Sequence, residues 1–78
     1  MDLIDKVGEM LHMSREEVEK NSEQIDENMT YFWQPGRGGL SLVTDKDGNY
    51  LGTTSGVNPE KLFEEFRNGR RAGNLFNE

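Results

Sequence analysis

The segment that most restricts the fold of this chain is residues 40–53, "LSLVTDKDGNYLGT". Two runs of β-branched and apolar residues flank "DKDG", which suits a type I turn with Gly48 in the left-handed conformation. Such a three-residue loop with a bulge sets Thr44 opposite Tyr50. A two-residue Asp47-Gly48 turn, which shifts the pairing by one residue, is the second option. The segment therefore predicts an antiparallel β-hairpin.

A further strand is predicted just before the hairpin, at "TYFWQ", residues 30–34. Aromatic and β-branched residues favour strands, and Pro35 ends this one. Because side chains alternate along a strand, Tyr31 and Trp33 point to one face and Phe32 to the other. At least one of these faces must pack on the helices. The sequence leaves open which of the three rings reaches solvent.

Two helices are predicted before this strand. Residues 2–13, "DLIDKVGEMLHM", place their apolar side chains on one helical stripe. The sequence "SREE" is typical of a capping box, in which Ser14 accepts from a first-turn amide while the Glu17 side chain reaches back. The apolar stripe of this second helix is thin, and its end is predicted between Asn21 and Asn28.

A third helix follows the hairpin. Asn58 suits the N-cap, Pro59 suits the first helical position, and Gly69 suits a C-terminal cap. The apolar residues expected to face the sheet are Leu62, Phe63 and Phe66.

These elements predict an α+β fold with the order ααβββα: a small three-stranded antiparallel sheet with helices on one face. A chain of 78 residues is expected to form a single domain, 1–78. Residues 70–78 are a tail that is either flexible or docked through Leu75 and Phe76.

The composition limits the cellular setting. The chain contains no cysteine, which excludes a disulfide framework and a thiolate zinc site. The apolar runs are shorter than a membrane span, and the N-terminal segment carries acids where a signal peptide carries a basic region. We therefore expect a cytoplasmic protein that does not engage a membrane.

The net charge of −6 is unevenly distributed along the chain. Residues 1–30 contain nine acidic and three basic residues, and residues 31–78 contain six of each. The N-terminal part therefore carries the whole excess, which repels phosphate backbones and attracts a basic partner. The alternative interpretation is a solvated helix surface that keeps the protein soluble.

The sequence offers little for catalysis. His12 is the only histidine, so neither a Cys–His pair nor a His-rich metal site can be built. The carboxylates near the third helix have the spacing of a solvated face. We expect no enzymatic activity, no catalytic residue and no cofactor.

A calcium loop is the only metal site that the sequence suggests. Asp45, Asp47 and Asn49 could supply oxygen ligands, but the glycine stands at the fourth position of the loop, and Gly56 stands where the twelfth position needs a glutamate. A hairpin turn explains these residues better, so no metal site is predicted.

The loop "GRGG" after Pro35 could form a nest of backbone amides beside Arg37 that binds an anion. With Tyr31 and Trp33 beside it, such a loop is also typical of platforms on which nucleic-acid bases stack. The structural alternative is that most of the aromatic cluster is core and the loop is a connection.

A pattern across residues 31–71 points to a family resemblance. It runs aromatic-x-Trp-x-x-x-Arg-Gly-Gly, then Ser-Leu-Val and Asp-Gly, and ends in an Asn-Pro-capped helix with "FRNGRR". This half of the chain resembles small bacterial proteins of immunity-protein type. The resemblance implies a non-enzymatic inhibitor that binds a protein partner.

The sequence thus predicts a small acidic protein-binding module. Glu16, Glu19 and Glu23 are expected to face a basic partner, with Tyr31 or Trp33 as an aromatic anchor. A second hypothesis is a nucleic-acid or anion binder that uses the rings and three arginines: Arg37, Arg70 and Arg71. A third is a homodimer formed through an exposed edge strand or helix stripe.

Overall fold

A computed structural model of the chain describes residues 2–35, 39–54 and 57–76. It has the predicted α+β architecture, but the antiparallel sheet contains five strands where the sequence predicted three. The strands lie side by side in chain order, β1-β2-β3-β4-β5. The elements are α1 (Leu3–Leu11), α2 (Arg15–Lys20), β1 (Ser22–Asp26), β2 (Met29–Trp33), β3 (Leu40–Thr44), β4 (Asn49–Thr54), α3 (Pro59–Arg67) and β5 (Gly73–Asn74).

The β3–β4 hairpin has the predicted register, with Thr44 opposite Tyr50. Gly48 adopts the left-handed conformation, with a φ of 88°. The Asp45 carboxylate accepts hydrogen bonds from the amides of Asp47 (2.9 Å) and Asn49 (3.0 Å). The residues that suggested a calcium loop therefore stabilise the turn itself.

The first missed strand, β1, lies where the second helix was predicted to continue. α2 ends at Lys20, and only Val18 of this helix is buried. The following residues pair with β2, closing a hairpin in which the Asn28 amide donates to the Asp26 side chain (2.9 Å). A helix with so narrow an apolar stripe gains little from continuing, whereas the strand gains a full ladder of backbone bonds.

The second missed strand, β5, is only two residues long. The amide of Ala72 donates to the Tyr50 carbonyl (2.7 Å), and the amide of Leu75 donates to the Gly48 carbonyl (2.8 Å). Leu75 is 2% exposed and joins the core, whereas Phe76 is 44% exposed. Of the two apolar residues in the tail, Leu75 enters the core, while the Phe76 ring lies against Gly48 at the surface.

The helices pack on both faces of the sheet, so the prediction of helices on one face was wrong. Phe32 and Leu42 are opposite one another in the β2–β3 pair and pack with α1 and α2. Val43, the next residue along β3, points to the other side and packs with α3. We call these the α1–α2 face and the α3 face. Strand β3 buries consecutive residues, so both sides of it need a cover.

The predicted helix caps are confirmed. Ser14 and Glu17 form the capping box of α2. The Asn58 side chain accepts from the Glu60 amide (2.9 Å) at the start of α3. At its end Gly69 has a φ of 97°, and its amide donates to a carbonyl of the last turn. None of the helices in the described part of the chain is long and apolar enough to cross a membrane.

Candidate protein-interaction surface

A strip of three aromatic rings crosses the α3 face. The ring centroids of Tyr31 and Trp33 are 5.2 Å apart, with an interplanar angle of 30°. Tyr31 also meets Phe63 of α3 edge to face, at a centroid distance of 5.1 Å. All three side chains are partly exposed, whereas Phe32 is 1% exposed on the opposite face. The alternation predicted for β2 is confirmed, and both Tyr31 and Trp33 reach solvent.

The aromatic strip, residues Trp33, Tyr31 and Phe63, is held by its surroundings. The Tyr31 hydroxyl lies 3.2 Å from the Oγ of Ser41, which is itself buried. The main-chain amide of Trp33 donates to the Asn21 carbonyl (3.2 Å), so the end of β2 is fixed at the first hairpin. Rings held in this way lose little conformational freedom when a partner binds.

Acidic side chains border the aromatic strip. Glu23 is opposite Tyr31 in the β1–β2 pair, so both side chains point to the α3 face. Glu60 and Glu64 join Phe63 around an open depression of about 500 Å³, which is also lined by Ile25 of β1 and by Arg67, itself paired with Asp26 at 3.6 Å. Among the described residues, no cation lies within ion-pair distance of these three glutamates. Their charges are therefore free to act on a partner.

The other two predicted acidic residues lie elsewhere. Glu16 and Glu19 belong to α2, which packs Val18 into the α1–α2 face. Glu19 also forms an ion pair with Arg15, at an Nε–Oε1 distance of 3.1 Å. Of the three predicted glutamates, only Glu23 shares a face with the rings.

The charges around Arg15 connect the two N-terminal helices. Its guanidinium lies 3.0 Å from an oxygen of Asp2 and 3.1 Å from an oxygen of Asp5. The Asp5 amide donates to the Asp2 carboxylate (3.0 Å), and this bond together with Arg15 lowers the pKa of Asp2. The same two carboxylates raise the pKa of Arg15. This network belongs to the fold of the α1–α2 pair.

Two of the three arginines of the anion-binding hypothesis, Arg70 and Arg71, lie away from the aromatic strip. Arg37 lies outside the described residues. Arg70 bonds Glu65 at 2.8 Å. Arg71 donates to the Phe66 carbonyl at 2.6 Å and stacks on the ring of Phe66, with its guanidinium carbon 3.6 Å from the centroid. Both arginines serve the C-terminal end of α3 and the segment after it.

The lone histidine also has a structural position. His12 is the C-cap of α1, with a φ of 56°, and its amide donates to the Gly8 carbonyl. Within the described residues, no three histidine, cysteine, aspartate or glutamate side chains are grouped so that they could hold a metal ion.

Sequence reasoning missed part of this surface. Glu60 and Glu64 are exposed, as predicted from the spacing of a solvated helix face, but their position beside the rings was not predicted, and Phe63 was expected to be a core residue. Phe63 follows Leu62 directly, and two adjacent apolar residues widen the apolar arc of a helix beyond what one contact surface buries. That width was the available signal that one of them stays partly exposed.

Comparisons of the chain with protein-family models, with curated proteins and with solved structures find no match.

Proposed function

We propose that this chain is a small cytoplasmic protein-binding module, an inhibitor of immunity type, which binds a basic protein on the α3 face. The observation that carries the proposal is the aromatic strip with Glu23, Glu60 and Glu64 at its border. Rings at the centre of an interface with charges around them are the usual arrangement of a protein-binding hot spot.

The rings and the acids have different roles in this proposal. Trp33 and Tyr31 are the anchor, because burying aromatic surface that is already ordered gives affinity at low entropic cost. The glutamates speed the encounter and select a basic partner, because unpaired surface charges act mainly on the association rate. Glu16 and Glu19 add to the negative field from α2 without touching the partner.

The charges favour a protein partner over a nucleic acid. Glu23, Glu60 and Glu64 would stand next to the phosphates of any strand stacked on Trp33, and like charges repel. Arg70 and Arg71, which the nucleic-acid hypothesis requires, are held at the end of α3.

Photo-crosslinking tests whether the α3 face binds a partner. Trp33 is replaced by the photoreactive residue benzoylphenylalanine, and the protein is irradiated in the cells that naturally produce it. The matched control places the same residue at Leu40, which is 42% exposed on the α1–α2 face. We expect a basic protein crosslinked from position 33 and not from position 40. The same products from both positions would contradict the proposal.

Once the captured protein is purified, variants of this chain test the separate roles of the rings and of the glutamates in binding it. Trp33→Ala should weaken binding about 30-fold, which corresponds to about 2 kcal/mol for an anchor residue. Reversing the charge of Glu23, Glu60 and Glu64 together should slow association about tenfold at low salt and flatten its salt dependence. The control compares single reversals of equal charge: Glu16→Lys should slow association less than Glu23→Lys, and equal effects of these two variants would show that only the overall charge matters.

A further inference from the structure

Strand β1 is an edge of the sheet, and its main chain has polar groups directed outward. Asn21 accepts a hydrogen bond from the Trp33 amide, which makes these two residues a hydrogen-bonded pair. Hydrogen-bonded and non-bonded pairs alternate in an antiparallel ladder, so Ser22 and Gln24 are the non-bonded positions. Their amides and carbonyls therefore point away from β2, toward the open side of the sheet.

The side chains of β1 leave this edge accessible. Glu23 and Gln24 are exposed, and Ser22 is partly exposed. Within the described residues, the sheet order places no strand beyond β1. An edge strand with free main-chain groups is a template for another strand.

The charge of β1 determines which strand it accepts. Natural edges are protected by charged side chains and by bulges. Strand β1 has the exposed Glu23, an Asp26 that is paired with Arg67 at 3.6 Å, and a shift of register after Gln24. A second copy of this chain would bring the same acidic residues to the junction, where they repel. A basic segment would meet complementary charge instead. The acidic side chains therefore disfavour pairing of β1 with a second copy of this chain, but they do not disfavour pairing with a basic strand.

We propose that β1 accepts an extended basic segment of another protein as a sixth strand, bonded to the main chain of Ser22 and Gln24. This inference rests on the proposed function and states how the partner would dock. Neighbouring strands lie about 4.8 Å apart. Alternate side chains of the added strand would therefore lie next to Glu23 on the α3 face, one strand away from Tyr31. The added segment would extend the aromatic strip in a single surface.

The test uses a synthetic ten-residue peptide of alternating lysine and threonine. Its matched control has the same sequence with alternate amides N-methylated, which removes main-chain donors and leaves the charges. Binding is followed by Trp33 fluorescence, and amide exchange is measured at Ser22 and Gln24. We expect slower exchange at these two amides, and binding at least tenfold tighter for the unmethylated peptide, because several hydrogen bonds of about 1 kcal/mol each are lost in the control.

A protein variant provides a second test. Gln24→Pro removes an outward amide that β2 does not use, so the hairpin can persist while strand addition is blocked. The variant should bind the unmethylated peptide at least tenfold more weakly. Circular dichroism shows whether the variant is folded. If it is not, the comparison of the methylated and unmethylated peptides on the natural protein still tests strand addition.

Three results would overturn the inference. Equal binding of the two peptides, dependent on Glu23 and Trp33, would mean surface contact without strand addition and would leave the proposed function intact. Binding of neither peptide would show that β1 does not accept a basic strand, and the crosslinking experiment would then judge the proposed function alone. Concentration-dependent dimers that Gln24→Pro abolishes would show that the acidic edge does not exclude a second copy.

Discussion

The two faces of the sheet are covered to different extents. On the α1–α2 face, two helices and Leu75 enclose Phe32 and Leu42, which are 1% and 3% exposed. On the α3 face, a single nine-residue helix packs on Val43 and leaves Tyr31 and Trp33 partly exposed. In β2, Phe32 thus belongs to an enclosed core, whereas its neighbours Tyr31 and Trp33 belong to an open surface.

This difference separates stability from recognition within β2. A small domain buries a modest share of its surface, so a well-enclosed face must supply most of its free energy of unfolding. Phe32 is buried in that enclosed face and contributes to its stability. Trp33, one residue later, contributes less to folding and is free to contact a partner.

The largest effect that would test this division is expected at Phe32. Phe32→Ala should lower the free energy of unfolding by about 3–5 kcal/mol, because a fully buried ring is replaced by a cavity. The matched substitution Trp33→Ala should cost about 1 kcal/mol, because part of its ring is already in solvent. Urea denaturation of the two variants measures both values. Equal losses would refute the division of roles. Phe32→Leu gives a milder comparison if Phe32→Ala does not fold.

The C-terminal segment is expected to give the next largest effect, because it completes the cover of the α1–α2 face. Leu75→Ala should lower the free energy of unfolding by about 2–4 kcal/mol, since the side chain is almost fully buried. Phe76→Ala is the matched control and should cost about 1 kcal/mol or less, because Phe76 is 44% exposed. Both are measured by denaturation. If Leu75→Ala were harmless, the tail would not contribute to the core in solution.

Much of the fold could be predicted because its signals are local. Gly48 is needed for the positive φ of the hairpin loop, and that loop fixes the register of β3 and β4. Ser14, Asn58 and Gly69 mark helix ends through bonds to residues two or three positions away. Information of this kind is complete within a short window of sequence.

The missed elements depend on partners that are distant in the sequence. Ile25 follows Val18 at a helical spacing, so the stretch after α2 resembles a helix until it is paired with β2. Strand β5 has two residues and is held by the carbonyls of Tyr50 and Gly48. The packing of helices on both faces of the sheet does have a local signal in the sequence. Leu42 and Val43 are adjacent and both apolar, as expected for a strand buried on both faces.

The candidate site was predicted to a smaller extent. Alternation along β2 placed Tyr31 and Trp33 on one face, as the structure shows. The position of Phe63 and its neighbouring glutamates depends on where α3 docks, which no short pattern specifies. The same holds for the separation of Glu16 from Glu23 by the sheet, since it depends on the face that α2 covers.

A smaller effect is expected from the support beneath the aromatic strip. Ser41→Ala removes the hydroxyl that lies 3.2 Å from the Tyr31 hydroxyl, which should lower the free energy of unfolding by about 1 kcal/mol. If Tyr31 is an anchor, this variant should also weaken binding of the partner a few-fold, because the ring is less well ordered before binding. Tyr31→Phe removes the same bond from the other side and is the matched control. Denaturation and binding measured on the same variants show whether the hydrogen bond beneath Tyr31 contributes to stability, to binding of the partner, or to both.

The smallest effect is expected on the α1–α2 side, in the pH dependence of stability. The pKa of Asp2 is lowered in the folded protein, first by the hydrogen bond from the Asp5 amide and then by Arg15. A carboxyl whose folded pKa lies below its unfolded value stabilises the protein above the unfolded value, 3.8, and that stabilisation is lost as the pH falls through the folded pKa.

Asp2→Asn tests this directly because asparagine still caps the helix but cannot ionise. The stability difference between the natural protein and the variant should be constant above roughly pH 5 and should shrink as the pH falls below it. In an Arg15→Gln background the difference should narrow without vanishing, because the Asp5 amide, the larger cause, remains. Thermal unfolding from pH 6 to pH 2 measures the four proteins. A difference that does not change with pH would show that the Asp2 charge does not connect α1 to α2, and would leave the Asp5–Arg15 pair as the charged contact between these helices.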